Sequence, residues 1–281
     1  MMKLIRFVTF LTFLAVFLAG CGPQASIPVQ SDLVLTPVPT TDTITVFAAA
    51  SLTDAFTAIG SQFESRHPGV KIIFNFAGSQ QLAQQLLQGA PADVFASANP
   101  DQMQVVVADH RVDSGSVQLF AHNRLVIIFP KDNPAGIKTL EDLTKPGLRL
   151  VLAAKEVPVG GYSQTFLQKA SQVSSLGQDY KDLVLKNVVS YEDNVRFVLA
   201  KVALGEADAG IVYTSDINGD NGKKVGQVDI PDDLNVIASY PISAVSDSSL
   251  PGLANAFVEF VLSQEGQTII ARYGFIPVSQ K

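Results

Sequence analysis

Short apolar segments typical of strands alternate with amphipathic segments typical of helices along almost the whole of this 281-residue chain. The stretch "ITVFAA" at 44–49 has the composition of a buried strand, and 52–67 repeats apolar residues at steps of four and three, as a helix does. Such alternation is typical of α/β layers built on parallel sheets. The chain is long enough for two lobes, each with its own core. The sequence therefore predicts an α/β fold.

The same patterns predict the other regular elements. Further strands are expected at 70–76, 92–97, 123–130, 148–154, 207–214 and 234–245, and further helices at 80–89, 195–205 and 252–274. The strands at 123–130 and 148–154 are apolar throughout, which is typical of strands buried on both faces. The segment 252–274 has room for one or two helices that close the chain.

The N-terminus has the features of an export signal. Lys3 and Arg6 precede an apolar run that is too short to span a bilayer, so 1–20 is predicted to be a signal peptide. The sequence "LAGC" that ends in Cys21 resembles the lipobox of bacterial lipoproteins, which implies a lipid on this cysteine. Cys21 is the only cysteine, so no disulfide can form within the chain. Proline, serine and threonine in 21–42 predict a flexible lipid-anchored tether.

The charge balance is acidic and disfavours several classes of partner. The chain has 20 Lys and Arg against 26 Asp and Glu, and loss of the signal peptide moves the formal charge from −6 to −8. No basic run or mixture of basic and aromatic residues is present, so we expect no nucleic-acid binding. No segment after the leader is long and apolar enough to predict a transmembrane helix.

Four junctions repeat one pattern, in which a strand ends, a small or polar residue follows and a helix begins. They contain Ser51, Ser79, the segment 157–163 and the segment 191–196. Free N–H groups and a partial positive charge make each helix N-terminus a potential anion site. Open α/β sheets also bind ligands at the carboxyl ends of their strands. The alternative for Ser51 is ordinary capping, because Asp54 three residues later completes a motif close to a capping box.

Six sequence blocks in a fixed order resemble one known family. The blocks "ITVFAAASLTDAF", "FNFAGSQQLAQQLLQGAPADVFASAN", "EVPVGGYS", "EDNVR", "GEADAGIVYTSD" and "RYGFIP" extend from Ile44 to Pro277 and resemble the periplasmic molybdate-binding proteins of ABC transporters. The resemblance implies a two-lobed periplasmic-binding-protein fold of type II, with two crossover strands and a ligand cleft between the lobes. It places lobe I at 43–122 plus 240–281 and lobe II at 123–239.

The resemblance also implies the ligand and its contacts. The ligand would be molybdate, and tungstate as well, held by hydrogen bonds alone and delivered to an ABC permease by a monomeric protein that is not an enzyme. Ser51 and Ser79 would each donate through the hydroxyl and the backbone N–H. Val159 and Asn194 would donate through the backbone N–H, and Tyr213 through its hydroxyl. No cofactor and no metal cation is expected, because molybdenum would be bound as the oxyanion.

Neutral donors are sufficient for such a ligand. A hydrogen bond to a charged group is worth roughly 1.5–3 kcal/mol, so several converging donors support micromolar or tighter binding. The implied site contains no lysine or arginine, which suits selection by size and donor geometry. Gly78 stands where some relatives have another serine, so the first-lobe loop has one hydroxyl fewer. This difference should affect the choice between anions more than the ability to bind one.

Two alternatives remain at this point. Another oxyanion such as sulfate would use similar donors, whereas ferric iron would need anionic oxygen ligands. A serine hydrolase is the alternative from another class, but neither Ser51 nor Ser79 lies in a G-x-S-x-G motif. His67, His110 and His122 are scattered without metal-ligand spacing, which disfavours a metal site. Tungstate and molybdate are too similar in size and charge for the sequence to separate them.

Overall fold

A computed structural model describes residues 41–218, 220 and 222–278 of the chain. The predicted signal peptide 1–20 and the lipidation site Cys21 lie outside these residues. Of the predicted tether, only the last two positions are described, and the first strand begins at Asp42. No helix in the described ranges has the length and apolar character needed to cross a membrane.

The described residues form the following strands and helices. The strands are β1 (Asp42–Ala49), β2 (Val70–Ala77), β3 (Val94–Ala96), β4 (Gln118–Asn123), β5 (Leu125–Pro130), β6 (Leu150–Ala153), β7 (Val188–Glu192), β8 (Ala209–Tyr213), β9 (Val225–Asp229), β10 (Ala238–Ala244) and β11 (Ile276–Pro277). The helices are α1 (Thr53–Arg66), α2 (Ser79–Leu87), α3 (Pro100–Ala108), α4 (Pro158–Ala170), α5 (Tyr180–Lys186), α6 (Val195–Ala203), α7 (Pro251–Leu262) and α8 (Gln264–Arg272).

The predicted strands and helices are all confirmed, with ends shifted by a few residues. The segment 157–163, expected as a turn before a helix, is mostly the first part of α4, because Pro158 takes the first helical position, where proline is well tolerated. Elements without a strong apolar pattern were not predicted, namely α3, α5, β4, β7, β9 and β11. The strand β7 is an example, since its residues alternate between half-buried and exposed on the edge of a sheet.

The strands form two separate sheets. The first has the order β11-β4-β10-β3-β1-β2 and the second the order β7-β6-β8-β5-β9. β1, β2 and β3 are parallel, as are β6, β7 and β8. The parallel pairing expected from the sequence holds for these six strands, whereas β4 and β10 in the first sheet and β5 and β9 in the second pair antiparallel with their neighbours. These four strands flank the two passages of the chain from one sheet to the other.

Each sheet is the centre of one lobe of a two-lobed α/β fold. In the first lobe, α1, α7 and α8 cover one face of the sheet, and α2 and α3 cover the other. β1 shows why both faces are covered, since Ile44 and Val46 point to one apolar cluster and Phe47 points to the second. In the second lobe, α4 and α6 pack on the sheet. The lobe limits given above, 43–122 plus 240–281 and 123–239, stay a prediction.

A group of phenylalanines fills the core between α1, α7 and the first sheet. The Phe56 side chain is fully buried, and its ring centre lies 5.6 Å from that of Phe120 and 6.0 Å from that of Phe257. Aromatic rings at such distances add to the stabilisation from burial. This cluster fixes α1, and with it the turn that precedes α1.

We therefore expect Phe56→Ala to lower the free energy of unfolding by about 3–5 kcal/mol, because the substitution leaves a large cavity. Phe197→Ala is the matched control, since the Phe197 side chain is 52% exposed and the change should matter by less than about 1 kcal/mol. Urea denaturation followed by circular dichroism measures both. Equal losses in the two variants would contradict the assignment of this core.

Candidate functional site

The carboxyl ends of the six parallel strands meet at one small cavity. In the first lobe, β1 leads to Ser51 and β2 leads to Ser79. In the second, β6 leads to Val159, β7 leads to Asn194, and β8 ends at Tyr213. The structure thus brings together, on one cavity wall, all five residues that the sequence analysis singled out. Alanines, a glycine, valines and a proline supply the rest of the lining.

The cavity is small and its lining carries no formal charge. The cavity holds about 10 Å³ of space, far below the ~300–1,000 Å³ that is usual for sites of drug-sized molecules. None of the lining residues is Asp, Glu, His, Lys or Arg. A site of this size suits only a small ligand, and its lining offers only neutral groups.

Ser51 lies in a short 3₁₀ turn between β1 and α1, and its hydroxyl does not cap the helix. The cap position of α1 is Leu52, so the capping-box interpretation is wrong. The Ser51 Oγ lies 3.0 Å from the hydroxyl of Tyr240, and the Asp54 carboxylate pairs with Arg196 instead. The hydroxyl of Ser51 is therefore not used by its own helix and remains at the cavity wall.

Ser79 is the first residue of α2, after the cap residue Gly78. Its Oγ accepts the backbone N–H of Ala98 at 3.0 Å. A backbone N–H only donates, so this bond occupies an acceptor site of Ser79 and leaves the hydroxyl proton free. N–H groups in the first turn of α2 also lack carbonyl partners within the helix.

Val159 and Asn194 belong to the first turns of α4 and α6. Val159 is the second residue of α4, where an N–H has no carbonyl partner within the helix. Asn194 caps α6, and its side-chain oxygen accepts the backbone N–H groups of Arg196 and Phe197. Since these bonds engage the side-chain oxygen, the donors that Asn194 can offer a ligand are its backbone N–H and its side-chain Nδ2.

Tyr213 contributes a buried hydroxyl that makes no hydrogen bond of good geometry within the described residues, although the Tyr240 hydroxyl lies near it. The side chain is only 1% exposed, and burial raises its pKa well above the ordinary value, so the hydroxyl stays protonated. A buried polar group without a partner costs about 1–3 kcal/mol and is rare in folded proteins. At the wall of an otherwise neutral cavity, the orphaned Tyr213 hydroxyl indicates a ligand that accepts hydrogen bonds.

Arg196 joins the two lobes beside the cavity. It lies on α6 of the second lobe, and its Nη2 is 2.7 Å from the Asp54 carboxylate of the first lobe. Its Nε donates to the carbonyl of Ala50 at 3.2 Å and lies 3.3 Å from an oxygen of Asp216. Burial lowers the pKa of Arg196, but Asp216 and Asp54 outweigh it and the net shift is upward. The guanidinium is thus neutralised by carboxylates and does not line the cavity.

Asp216 supports the strand end from which Tyr213 extends. Its Oδ2 accepts the Tyr213 backbone N–H at 3.0 Å, and the carboxyl group is fully buried. Burial raises its pKa to about 6, although Arg196 opposes the shift. Because the folded-state pKa lies above the unfolded value, ionised Asp216 is a net cost to folding above about pH 6. The two donors that face the carboxylate reduce this cost.

The two lobes also touch at the rim of the cavity, next to Gly78. A side chain there would place its Cβ 2.5 Å from the carbonyl oxygen of Asp193, which is too close for any residue but glycine. The side chain of Gln80 donates to the same oxygen at 2.9 Å. The glycine that stands where some relatives have serine is therefore required by this close approach.

Three residues at the site were missed by the sequence analysis. Arg196 lies within the quoted block "EDNVR". A single cation at the start of an otherwise apolar helical segment could have indicated an ion pair near the site. Tyr240 was read only as part of a strand, and Asn123 only as the start of one. Their roles depend on contacts far along the chain, for which a single sequence gives no signal.

The histidines are not placed to serve as a base for Ser51 or Ser79. The Nδ1 of His67 lies 2.9 Å from the carbonyl of Phe63, the Nδ1 of His122 lies 3.2 Å from a serine hydroxyl, and neither ring lines the cavity. Within the described ranges no group of three or more His, Cys, Asp or Glu side chains could hold a metal ion. The absence of a metal and of a cofactor stays a prediction.

The sequence matches a known family over most of its length. Residues 44–276 match the family described as bacterial extracellular solute-binding protein. The molybdate-binding protein ModA of Mycobacterium tuberculosis is 42% identical over 232 residues, which cover 83% of this chain and 84% of the relative. YvgL of Bacillus subtilis, named for a proposed role as an ABC transporter substrate-binding lipoprotein, is 30% identical over 96% of this chain and 98% of its own.

Solved structures share the fold. The substrate-binding domain of a proposed molybdenum ABC transporter from Clostridium difficile is 30% identical, with a TM-score of 0.62 over 84% of this chain and 99% of that one. The sulfate-binding protein SubI of Mycobacterium tuberculosis has a TM-score of 0.76 at 20% identity, over 85% of this chain and 88% of that one. At 20% identity, the similarity to SubI establishes the two-lobed fold and nothing about the ligand.

The N-terminus of α4 allows a sharp test of the cavity wall. A Cβ on Gly160 would lie 1.9 Å from the carbonyl oxygen of Ala154, so Gly160→Ala must push α4 away from β6. We expect the free energy of unfolding to fall by about 1–3 kcal/mol, as overpacking does elsewhere. Gly252→Ala is the control, because nothing lies within 4 Å of its Cβ position. Urea denaturation of both variants decides, and an unchanged midpoint for Gly160→Ala would contradict the close packing described.

Proposed function

The chain belongs to the family of bacterial extracellular solute-binding proteins, and from this premise we propose that it captures molybdate, and tungstate as well, for an ABC importer. The observation that carries the proposal is the small neutral cavity whose wall holds donors from both lobes. Ser51, Ser79 and Tyr213 supply hydroxyls, and Val159 and Asn194 supply backbone N–H groups. Such a set suits a small dianion that accepts hydrogen bonds on every oxygen.

The energetics of this donor set are sufficient for tight binding. Each hydrogen bond to a charged group contributes roughly 1.5–3 kcal/mol. After the cost of association, several such bonds support a free energy of binding of ~8 kcal/mol or more, which corresponds to micromolar affinity or better. The Tyr213 hydroxyl adds to this, because a ligand oxygen would satisfy a buried donor that makes no hydrogen bond of good geometry in the described part of the chain.

The choice of molybdate rests on the relatives. The mycobacterial protein at 42% identity and an Escherichia coli protein at 34% identity are both named molybdate-binding protein ModA. A cyanobacterial sulfate-binding protein is more distant, at 26% identity over 74% of this chain. Tungstate has the same charge and tetrahedral shape as molybdate, so we include it.

We infer that binding of the anion favours closure of the two lobes. Donors from both lobes reach one ion only when the lobes approach each other, so the ligand stabilises the closed arrangement through differential contacts. The ion pair of Arg196 with Asp54 and the hydrogen bond from Gln80 to Asp193 act between the same lobes. The permease would recognise this closed form.

The remaining features of the proposal concern anchoring and assembly. We propose that a lipid on Cys21 holds the exported chain at the membrane, with 21–42 as a tether. The lobes would comprise 43–122 plus 240–281 and 123–239. The protein would act as a monomer without a cofactor and without catalysis.

Titration calorimetry of the purified protein with four anions tests the ligand. We expect molybdate and tungstate to bind with micromolar or tighter affinity, and sulfate and phosphate to bind more weakly, since sulfate is smaller and phosphate carries a proton. Molybdate binding no tighter than sulfate would overturn the assignment in favour of the other oxyanion.

The roles of the two serines are tested by Ser51→Ala and Ser79→Ala. Each should weaken molybdate binding by about 1–3 kcal/mol, because a charged ligand loses a donor. Ser171→Ala is a matched control, since the Ser171 hydroxyl is also buried and also accepts a backbone N–H at 3.0 Å, but lies outside the cavity lining. If neither cavity variant changes the affinity, the proposed contacts are wrong. Esterase activity that disappears in Ser51→Ala would instead favour the hydrolase alternative.

A further inference from the structure

Two hydrogen bonds between the lobes end on backbone carbonyl groups beside the cavity. The side chain of Gln80, on α2 of the first lobe, donates through Nε2 to the carbonyl oxygen of Asp193 at 2.9 Å. In the opposite direction, the Nε of Arg196, on α6 of the second lobe, donates to the carbonyl oxygen of Ala50 at 3.2 Å. Each lobe therefore reaches a carbonyl group of the other.

These two carbonyls belong to the same peptide groups as two of the proposed ligand donors. The carbonyl of Asp193 shares its peptide plane with the N–H of Asn194, and the carbonyl of Ala50 shares its plane with the N–H of Ser51. The C=O and N–H bonds of a trans peptide point in opposite directions. A bond received by the carbonyl on one side therefore leaves the N–H free on the other, and Ala50, Ser51 and Asn194 all line the cavity.

The other two backbone donors follow carbonyls that belong to a single lobe. The carbonyl of Gly78, which shares a peptide group with the N–H of Ser79, accepts two N–H groups of α2. The N–H of Val159 follows the carbonyl of Pro158 in the first turn of α4, where carbonyls accept from the next turn of the same helix. Ser79 and Val159 are thus internal references, one in each lobe.

A donor on the carbonyl side of a peptide group strengthens the N–H on its other side. Hydrogen bonds in series polarise one another, by about 10–30% per bond. The charged Arg196 should polarise its peptide group more than a neutral donor does. The Thr53 hydroxyl already donates to the same Ala50 oxygen at 2.7 Å, however, so the bond from Gln80 allows the cleaner test.

We propose that Gln80 and Arg196 are positioning residues, each of which orients and polarises a backbone N–H that the opposite lobe offers to the anion. This inference rests on the proposed function of the cavity. Because both bonds cross between the lobes, they form on closure, and the N–H groups of Asn194 and Ser51 then bind the anion more strongly than in the open protein. Closure and ligand affinity are coupled through these two peptide groups.

Gln80→Met removes the donor and keeps a side chain of similar length. We expect the affinity for molybdate, measured by titration calorimetry, to fall about three- to tenfold, the worth of roughly one hydrogen bond. Gln84→Met is the matched control, because Gln84 is exposed one turn further along α2, and it should leave the affinity unchanged. An equal loss of affinity in the control would contradict the role of Gln80.

Backbone amide proton shifts of the anion-bound protein separate polarisation of one peptide group from a change in closure. A weaker hydrogen bond moves an amide proton upfield. In Gln80→Met the Asn194 signal should therefore move upfield, whereas the Val159 signal, from the same lobe, should stay in place.

Arg196→Lys gives the reciprocal test. It keeps a positive charge near Asp54, but an ammonium group has no Nε to place at the Ala50 carbonyl. The Ser51 signal should move upfield and the Ser79 signal should stay in place. An unchanged Ser51 signal in the folded variant would overturn the role of Arg196, and if the variant does not fold, Gln80→Met decides alone.

The shifts are measured by NMR on isotopically labelled proteins saturated with whichever of molybdate, tungstate, sulfate and phosphate the wild-type protein binds most tightly. Wild-type binding together with an unchanged Asn194 shift in Gln80→Met overturns this inference and leaves the proposed function intact. Equal movement of the Asn194 and Val159 signals also overturns it, because the variant would then alter closure as a whole. If the wild-type protein binds none of the four anions, the proposed function and this inference both fall.

Discussion

An anion that leaves water must have its oxygens met by donors, and the cavity of this protein offers neutral donors from two separate lobes. Three parallel strands in each sheet end at the same cavity, and the junctions that follow them hold hydroxyls and free N–H groups. Parallel strands are what bring several such junctions to one edge of a sheet. Donors from both lobes can line one cavity only if the carboxyl ends of the two sheets face each other, as they do here.

Arg196 lies close to this cavity but is not among its lining residues. The Arg196 guanidinium is bound by Asp54 and lies against Asp216 and the Ala50 carbonyl. Its positive charge therefore pairs with Asp54 of the other lobe and favours the ionised form of the buried Asp216. A free cation at the cavity wall would attract any anion, whereas oriented neutral donors distinguish anions by size and by geometry.

Much of the fold and of the cavity wall was predictable from sequence, and the reasons are local. Strong apolar patterns identified β1, α1 and α6, and ordered blocks of sequence identified Ser51, Ser79 and Tyr213. The weakly patterned β7 was missed because edge strands are half exposed. Capping of α1 by Ser51 was the locally sensible interpretation, and it failed because Tyr240, 189 residues away, binds the hydroxyl instead. Interactions across such a separation depend on the folded arrangement and leave no mark in a single sequence.

Asn123 lies where the chain passes from the first sheet to the second, and Tyr240 lies on the strand that follows the return passage. Segments at the pivot of a rigid-body rotation move least when two lobes open and close. Ser51 and Tyr240 both belong to the lobe of the first sheet, so the contact between their hydroxyls does not depend on how closely the second lobe approaches. A group that is ordered before a ligand binds loses its rotational entropy during folding, which lowers the entropic cost of binding.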